Sequence, residues 1–114
     1  METTIVISGI TGKMGLEAVT AIGRENDLIL LGGTCANDRG SILATSTGDV
    51  VLSTDLSALL DQTKPDVVVD FTNASVAMDA AYIASEKKID LVMGASGFSE
   101  SQLQKLDDMA NDTV

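Results

Sequence analysis

The chain has 114 residues with 17 acidic and 7 basic side chains, a net charge of −10, so it holds one domain and lacks the clustered bases that nucleic acid demands. Apolar residues, 45% of the total, are spread along its length, which excludes disorder, and the longest apolar runs are too short to span a bilayer. With no histidine, one cysteine and no carboxylates at metal-ligand spacing, nothing points to a Cys–His nucleophile, a disulfide framework or a metal.

The amino terminus carries no basic-then-apolar signal pattern, so a cytoplasmic location is expected. "TIVIS" (4–8) predicts a strand ending at Gly9. From Gly12 to about Arg24, the residues Met14, Ala18 and Ile22, with Val19, fall on one helical face. "DLILLGGT" (27–34) is apolar without alternation, as in a strand covered on both faces. Residues 35–49, with Cys35 read as a small buried side chain, are expected to be irregular, and "VVLS" (50–53) to be a short strand. Asp55 then caps a helix carrying Leu56, Leu59 and Leu60, which Pro65 stops.

"DVVVDFT" (66–72) is the strongest strand, and Asn73 caps a helix whose face carries Val76, Ala80 and Ile83. "IDLVMG" (89–94) is a further buried strand. Ser99 with Gln102 forms a capping box for a last helix with Leu103, Leu106 and Ala110 aligned. This alternation predicts an α/β fold: a doubly wound parallel sheet of the Rossmann-like, dinucleotide-binding type, spanning residues 1–114 as one domain. Ligands of such sheets sit beyond the carboxyl ends of the strands.

The loop after the first strand reads Gly9-Ile10-Thr11-Gly12-Lys13-Met14-Gly15, a GxxGxxG spacing rather than GxGxxG. Gly9 suits a sharp turn, Gly12 the approach of a pyrophosphate to the first helix amides, and Gly15 close packing of helix on strand. Lys13 adds positive charge beside the phosphates. The same residues also suit a plain turn from strand to helix. After the second strand comes Cys35-Ala36-Asn37-Asp38-Arg39, with no acid at the strand tip. Asp38 comes late for a ribose, and Arg39 is placed to meet a 2′-phosphate, unless both are solvated loop charges. NADPH and NADH both remain open as cofactors.

The two phenylalanines, Phe71 in "DFT" and Phe98 in "GASGF", both stand at strand ends, where a ring shields a nicotinamide or simply packs. Thr72 and Ser96 offer hydroxyls there, and Gly94 and Gly97 expose backbone N–H groups. Asp70 is expected to hold the strand end or a neighbouring N–H, and no catalytic role is assigned to it.

"GITGKMG", "VVVDFTNAS" and "LVMGASGFSESQL" together resemble, in order and spacing, the amino-terminal domain of the 4-hydroxy-tetrahydrodipicolinate reductase family. The resemblance implies a cofactor-binding domain of an oxidoreductase that uses NADH or NADPH to form tetrahydrodipicolinate in diaminopimelate and lysine biosynthesis. It implies a pyrophosphate loop at Gly9 to Met14 and a nicotinamide side at Phe71, Thr72, Gly94, Ala95 and Ser96, the last standing where a threonine is common. Ala36 takes the place of the family's acid after the second strand, with Arg39 a displaced partner for a 2′-phosphate. The resemblance further implies that the catalytic histidine and lysine, the substrate site and the homotetramer contacts lie in a second domain, beyond Val114. The small-molecule substrate is then bound only with that domain, and this chain alone is expected to be inactive. Two other readings are a stand-alone nucleotide-binding module and a CoA-binding domain of the succinyl-CoA synthetase α type, which shares a GxTGxxG turn and a "GG" after the second strand.

Overall fold

The β-branched run near the amino terminus forms β1 (Thr3–Ser8), whose alternation sends Ile5 and Ile7 to one face and Val6 and Ser8 to the other. Around it a computed structural model, describing residues 2–113, builds a single sheet flanked by helices. The remaining elements are α1 (Lys13–Gly23), β2 (Leu28–Thr34), β3 (Ile42–Thr45), β4 (Gly48–Ser53), α2 (Leu56–Thr63), β5 (Val67–Asp70), α3 (Ala74–Lys87), β6 (Asp90–Met93) and α4 (Glu100–Thr113).

The strands lie in the order β3-β4-β2-β1-β5-β6, and neighbours run parallel except for β3 and β4. Ala18, Val19 and Ile22 of α1 cover the Ile5 and Ile7 face. Leu59 and Leu60 of α2 and Ile83 of α3 cover the Val6 and Val68 face. Burying Leu59 and Leu60, each 1% exposed, contributes about 2 kcal/mol apiece of transfer free energy. The doubly wound α/β sheet expected from the alternation is therefore present.

Three local expectations are corrected, the first being "IDLVMG": expected to be a buried strand, it forms the edge strand β6 with Val92 57% exposed. Residues 35–49, expected to be irregular, hold β3 and the start of β4, a hairpin closed by Gly48 at φ +127°. The sheet is thus mixed, with one antiparallel edge. β3 leaves Ile42 60% exposed, so its sequence carries no clean buried alternation. Met14, expected on the sheet-facing side of α1, is 54% exposed, and Gly15 occupies the buried place instead.

The caps fall where the sequence puts them. Asp55 Oδ1 accepts from Ala58 N at 3.1 Å and Asn73 Oδ1 from Val76 N at 3.0 Å. Ser99 and Gln102 exchange reciprocal bonds, Gln102 N to Ser99 Oγ at 3.2 Å and Ser99 N to Gln102 Oε1 at 2.8 Å. α2 and α3 both end on lysines in the left-handed region, Lys64 at φ 48° and Lys88 at φ 56°.

Candidate functional site

The parallel strands are apolar through the core and turn polar at their carboxyl tips. Register puts Ser53 beside Thr34, Thr34 beside Ser8, and Ser8 beside Asp70, a polar row across four strands. The chain runs outward from β1 in one direction through β2 and β4 and in the other through β5 and β6. The topological switch therefore lies between Ser8 and Asp70.

A cleft of about 700 Å³ opens at this point, a size suited to a small-molecule cofactor. Its walls come from every strand-to-helix turn around the switch: Ser8, Gly9, Thr11 and Gly12 after β1, then Thr34, Cys35 and Ala36 after β2. Thr54, Asp55 and Leu56 follow β4, and Phe71, Thr72 and Asn73 follow β5. Val76, Asp79, Ala80 and Ile83 of α3 close it.

The β1–α1 turn is built around glycine. Gly9 sits at φ +84°, a region that side chains resist, and its N–H donates to Thr34 O at 3.1 Å. A Cβ at Gly15 would stand 2.3 Å from Gly9 O, so the helix starts directly against the turn. Gly12 differs, because a Cβ there would meet nothing nearer than Gly9 O at 3.5 Å. No internal packing demands glycine at Gly12; a side chain there would enter the cleft.

The first amide bonded within α1 is Leu16 N, to Gly12 O at 2.9 Å, and Gly12 supplies no side-chain cap. The N–H groups of Lys13, Met14 and Gly15 thus have no carbonyl in the helix to receive them. Such an end attracts an anion through its donors and its dipole. With Asp55 and Asp79 also lining the cleft, backbone amides rather than side-chain bases offer the positive character here.

Of the residues singled out in the sequence, Gly9, Thr11, Gly12, Ala36, Phe71 and Thr72 line the cleft. Ile10 does not: it is fully buried in the core, and its N–H donates to Thr34 O at 2.9 Å. A Cβ at Gly33 would lie 2.5 Å from Ile10, so the "GG" of β2 makes room for this side chain. Lys13 and Met14 are exposed on the first turn of α1, outside the cleft wall. Arg39 is exposed and outside it too, while Asp38 Oδ1 accepts the Gly40 N–H at 2.9 Å within its own loop.

At the end of β5, Asp70 is fully buried and its Oδ1 accepts from Thr72 N at 2.9 Å, the strand-end role expected of it. Its carbonyl accepts the Gly94 N–H at 2.7 Å, joining the β5 and β6 ends. The Phe71 ring lies over Gly94, where a Cβ would be 2.8 Å from it. Gly94 borders this ring, and Gly94, Ala95 and Ser96 all lie beyond the cleft, as does the half-buried Phe98. Sequence reasoning missed Ser8, Thr34, Asp79 and the apolar α3 wall as cleft residues. The signal for the first two was the polar residue ending each strand.

Comparison with known proteins adds four findings. The family model described as dihydrodipicolinate reductase, N-terminus, matches residues 3–114. A 4-hydroxy-tetrahydrodipicolinate reductase of Dehalococcoides mccartyi is 39% identical over 108 residues, covering 93% of this chain and 41% of the relative. The dipicolinate-bound dihydrodipicolinate reductase from Paenisporosarcina sp. TG-14 superposes with a TM-score of 0.85 at 26% identity, over 99% of this chain and 44% of that one. The WlbA dehydrogenase from Bordetella pertussis, in complex with NADH and UDP-GlcNAcA, shares the fold with a TM-score of 0.83 at 14% identity, over 99% of this chain and 35% of that one. The chain spans about two fifths of the length of the curated relatives it matches, 41% of the first.

Proposed function

The chain belongs to the dihydrodipicolinate reductase N-terminus family, and on that premise we propose that it binds NADPH or NADH along the carboxyl edge of its sheet. In the longer protein it is the cofactor domain of a reductase that forms tetrahydrodipicolinate. The observation that carries this reading is the uncapped start of α1 beside a Gly12 whose missing side chain leaves the cleft open. The pyrophosphate accepts from the free amides of Lys13 and Met14, with Gly9 and Thr11 shaping the turn and the Lys13 ammonium nearby. Ile10 serves by anchoring that turn to β2.

Phe71 supplies the apolar wall for the nicotinamide ring, with Thr72 at its edge and Gly94, Ala95 and Ser96 bordering it. Ala36 lies at the adenosine end. The one carboxylate in the loop after it, Asp38, is engaged with Gly40, which leaves no acid at the β2 tip to select a free ribose 2′-hydroxyl. Arg39 is the base of the same loop, so NADPH binds at least as tightly as NADH. The dinucleotide supplies the hydride. This chain's residues hold it and shield its ring, and none is assigned to proton delivery, which on this reading belongs with the substrate site. Substrate binding and tetramer contacts belong, on this reading, to the remaining length of the family's polypeptides.

Calorimetric titration of the chain with NADPH, NADH and CoA tests the proposal. Saturable binding of the two nicotinamide dinucleotides is expected, together with no reductase turnover by the chain alone. A preference for CoA overturns the reading. Reductase turnover by the pure chain overturns the placement of proton delivery elsewhere.

A further inference from the structure

Asp70 Oδ1 accepts two hydrogen bonds from one residue, the Thr72 N–H at 2.9 Å and the Thr72 hydroxyl at 2.8 Å. A hydroxyl has one proton and two lone pairs. The other acceptor within reach of that proton is Asn73 O at 3.3 Å, which belongs to the same loop. The proton is therefore committed inside the protein, while Thr72 is one of the residues lining the cleft. Asp70 itself is fully buried, and among the described residues its Oδ2 has no hydrogen-bond partner.

We infer, on the reading of this cleft as a dinucleotide site, that Asp70 is a positioning residue. It turns the Thr72 hydroxyl so that oxygen lone pairs face the ligand, and Thr72 accepts a hydrogen bond from a ligand donor. The matching donors on a nicotinamide nucleoside are the carboxamide N–H and the ribose O–H. The two turns that adjoin at the cleft then differ in what they present. The α1 turn presents unpaired N–H donors, beside the Thr11 hydroxyl, and takes phosphate oxygens. The β5 end presents an acceptor, which rejects phosphate and takes the donor-bearing nucleoside. Together they set which way round the ligand lies.

The test uses the chain and its Thr72→Val, Thr72→Ser, Asp70→Ala and Asp70→Asn variants, with folding checked by thermal unfolding. Each is titrated with NADPH, with its acetylpyridine analogue, which lacks the carboxamide N–H, and with 2′,5′-ADP, which lacks the nicotinamide nucleoside. Loss of one such hydrogen bond lowers affinity about 5- to 10-fold. Thr72→Val is expected to show that loss for NADPH and no change for 2′,5′-ADP, with Thr72→Ser retaining wild-type binding. Asp70→Ala is expected to lose NADPH affinity alone, and the Asp70→Ala/Thr72→Val pair no more than either single change. If Asp70→Ala does not fold, Asp70→Asn, which keeps the Oδ1 acceptor, is expected to retain NADPH binding. Weakened wild-type binding of the acetylpyridine analogue assigns the donor to the carboxamide, and undiminished binding assigns it to the ribose hydroxyl. NADPH affinity unchanged in Thr72→Val, or equal losses for NADPH and 2′,5′-ADP, overturns the inference while leaving the cofactor reading intact. A wild-type chain that binds neither ligand overturns both.

Discussion

Two strand-to-helix turns adjoin at the cleft, with Thr72 packed against Gly9, and they solve the start of a helix in opposite ways. At the β5–α3 turn the chain meets its own needs: Asn73 caps α3 and Asp70 ties down Thr72. At the β1–α1 turn it withholds them, with glycine at the cap and the opening amides unpaired inside the helix. A closed turn offers side chains of fixed polarity, and an open one offers bare main-chain donors. A site for a molecule with an anionic middle and a neutral polar end needs one of each.

The difference can be broken or sharpened by substitution. Gly15→Ala has the largest expected effect, because its Cβ would stand 2.3 Å from Gly9 O and 2.8 Å from the Ile10 backbone. Steric overlap against backbone is expected to cost about 3 kcal/mol or more, read as a lowered denaturant midpoint. Gly12→Asp makes the open turn resemble the closed one. It gives α1 the cap that Asp55 gives α2, raising stability by a few tenths of a kcal/mol, while its carboxylate lowers dinucleotide affinity by roughly 10-fold or more. Calorimetry and thermal unfolding should therefore move in opposite directions. Asn73→Ala opens the closed turn, with an expected loss of about 1 kcal/mol in chemical denaturation. It should create no new phosphate affinity, because Gly12 has no counterpart in that turn. Lys88→Gly relieves a left-handed backbone at the far end of α3 and is expected to gain about 0.5–1 kcal/mol with dinucleotide affinity unchanged. Altered affinity there would mean that the turns are not independent of the helix bodies.

Features decided within one turn of chain were legible in the sequence. Asp55, Asn73 and the Ser99–Gln102 pair declare their helices because a cap needs a particular side chain next to the amides it serves. The alternating order of strands and helices likewise declared a doubly wound sheet. What escaped depends on distance across the sheet. Met14 is the more apolar residue, yet the turn approaches α1 so closely that only Gly15 fits against it. Ile10 reads as a loop residue within the phosphate motif, but the space left at Gly33 draws it into the core. The β3 edge strand exposes Ile42 and so hides its pairing with β4 from any hydropathy pattern. Ser8 and Thr34 became cleft residues only once register placed them side by side.

The opening turn of α1 has a consequence for how such a domain drifts over generations. Its donors are main-chain atoms, present whatever side chain each codon specifies, proline excepted. Exchanges at Thr11 or Lys13 leave those donors in place. The mutational target of the grip is therefore small: it consists of positions where gaining atoms, rather than losing them, does the damage.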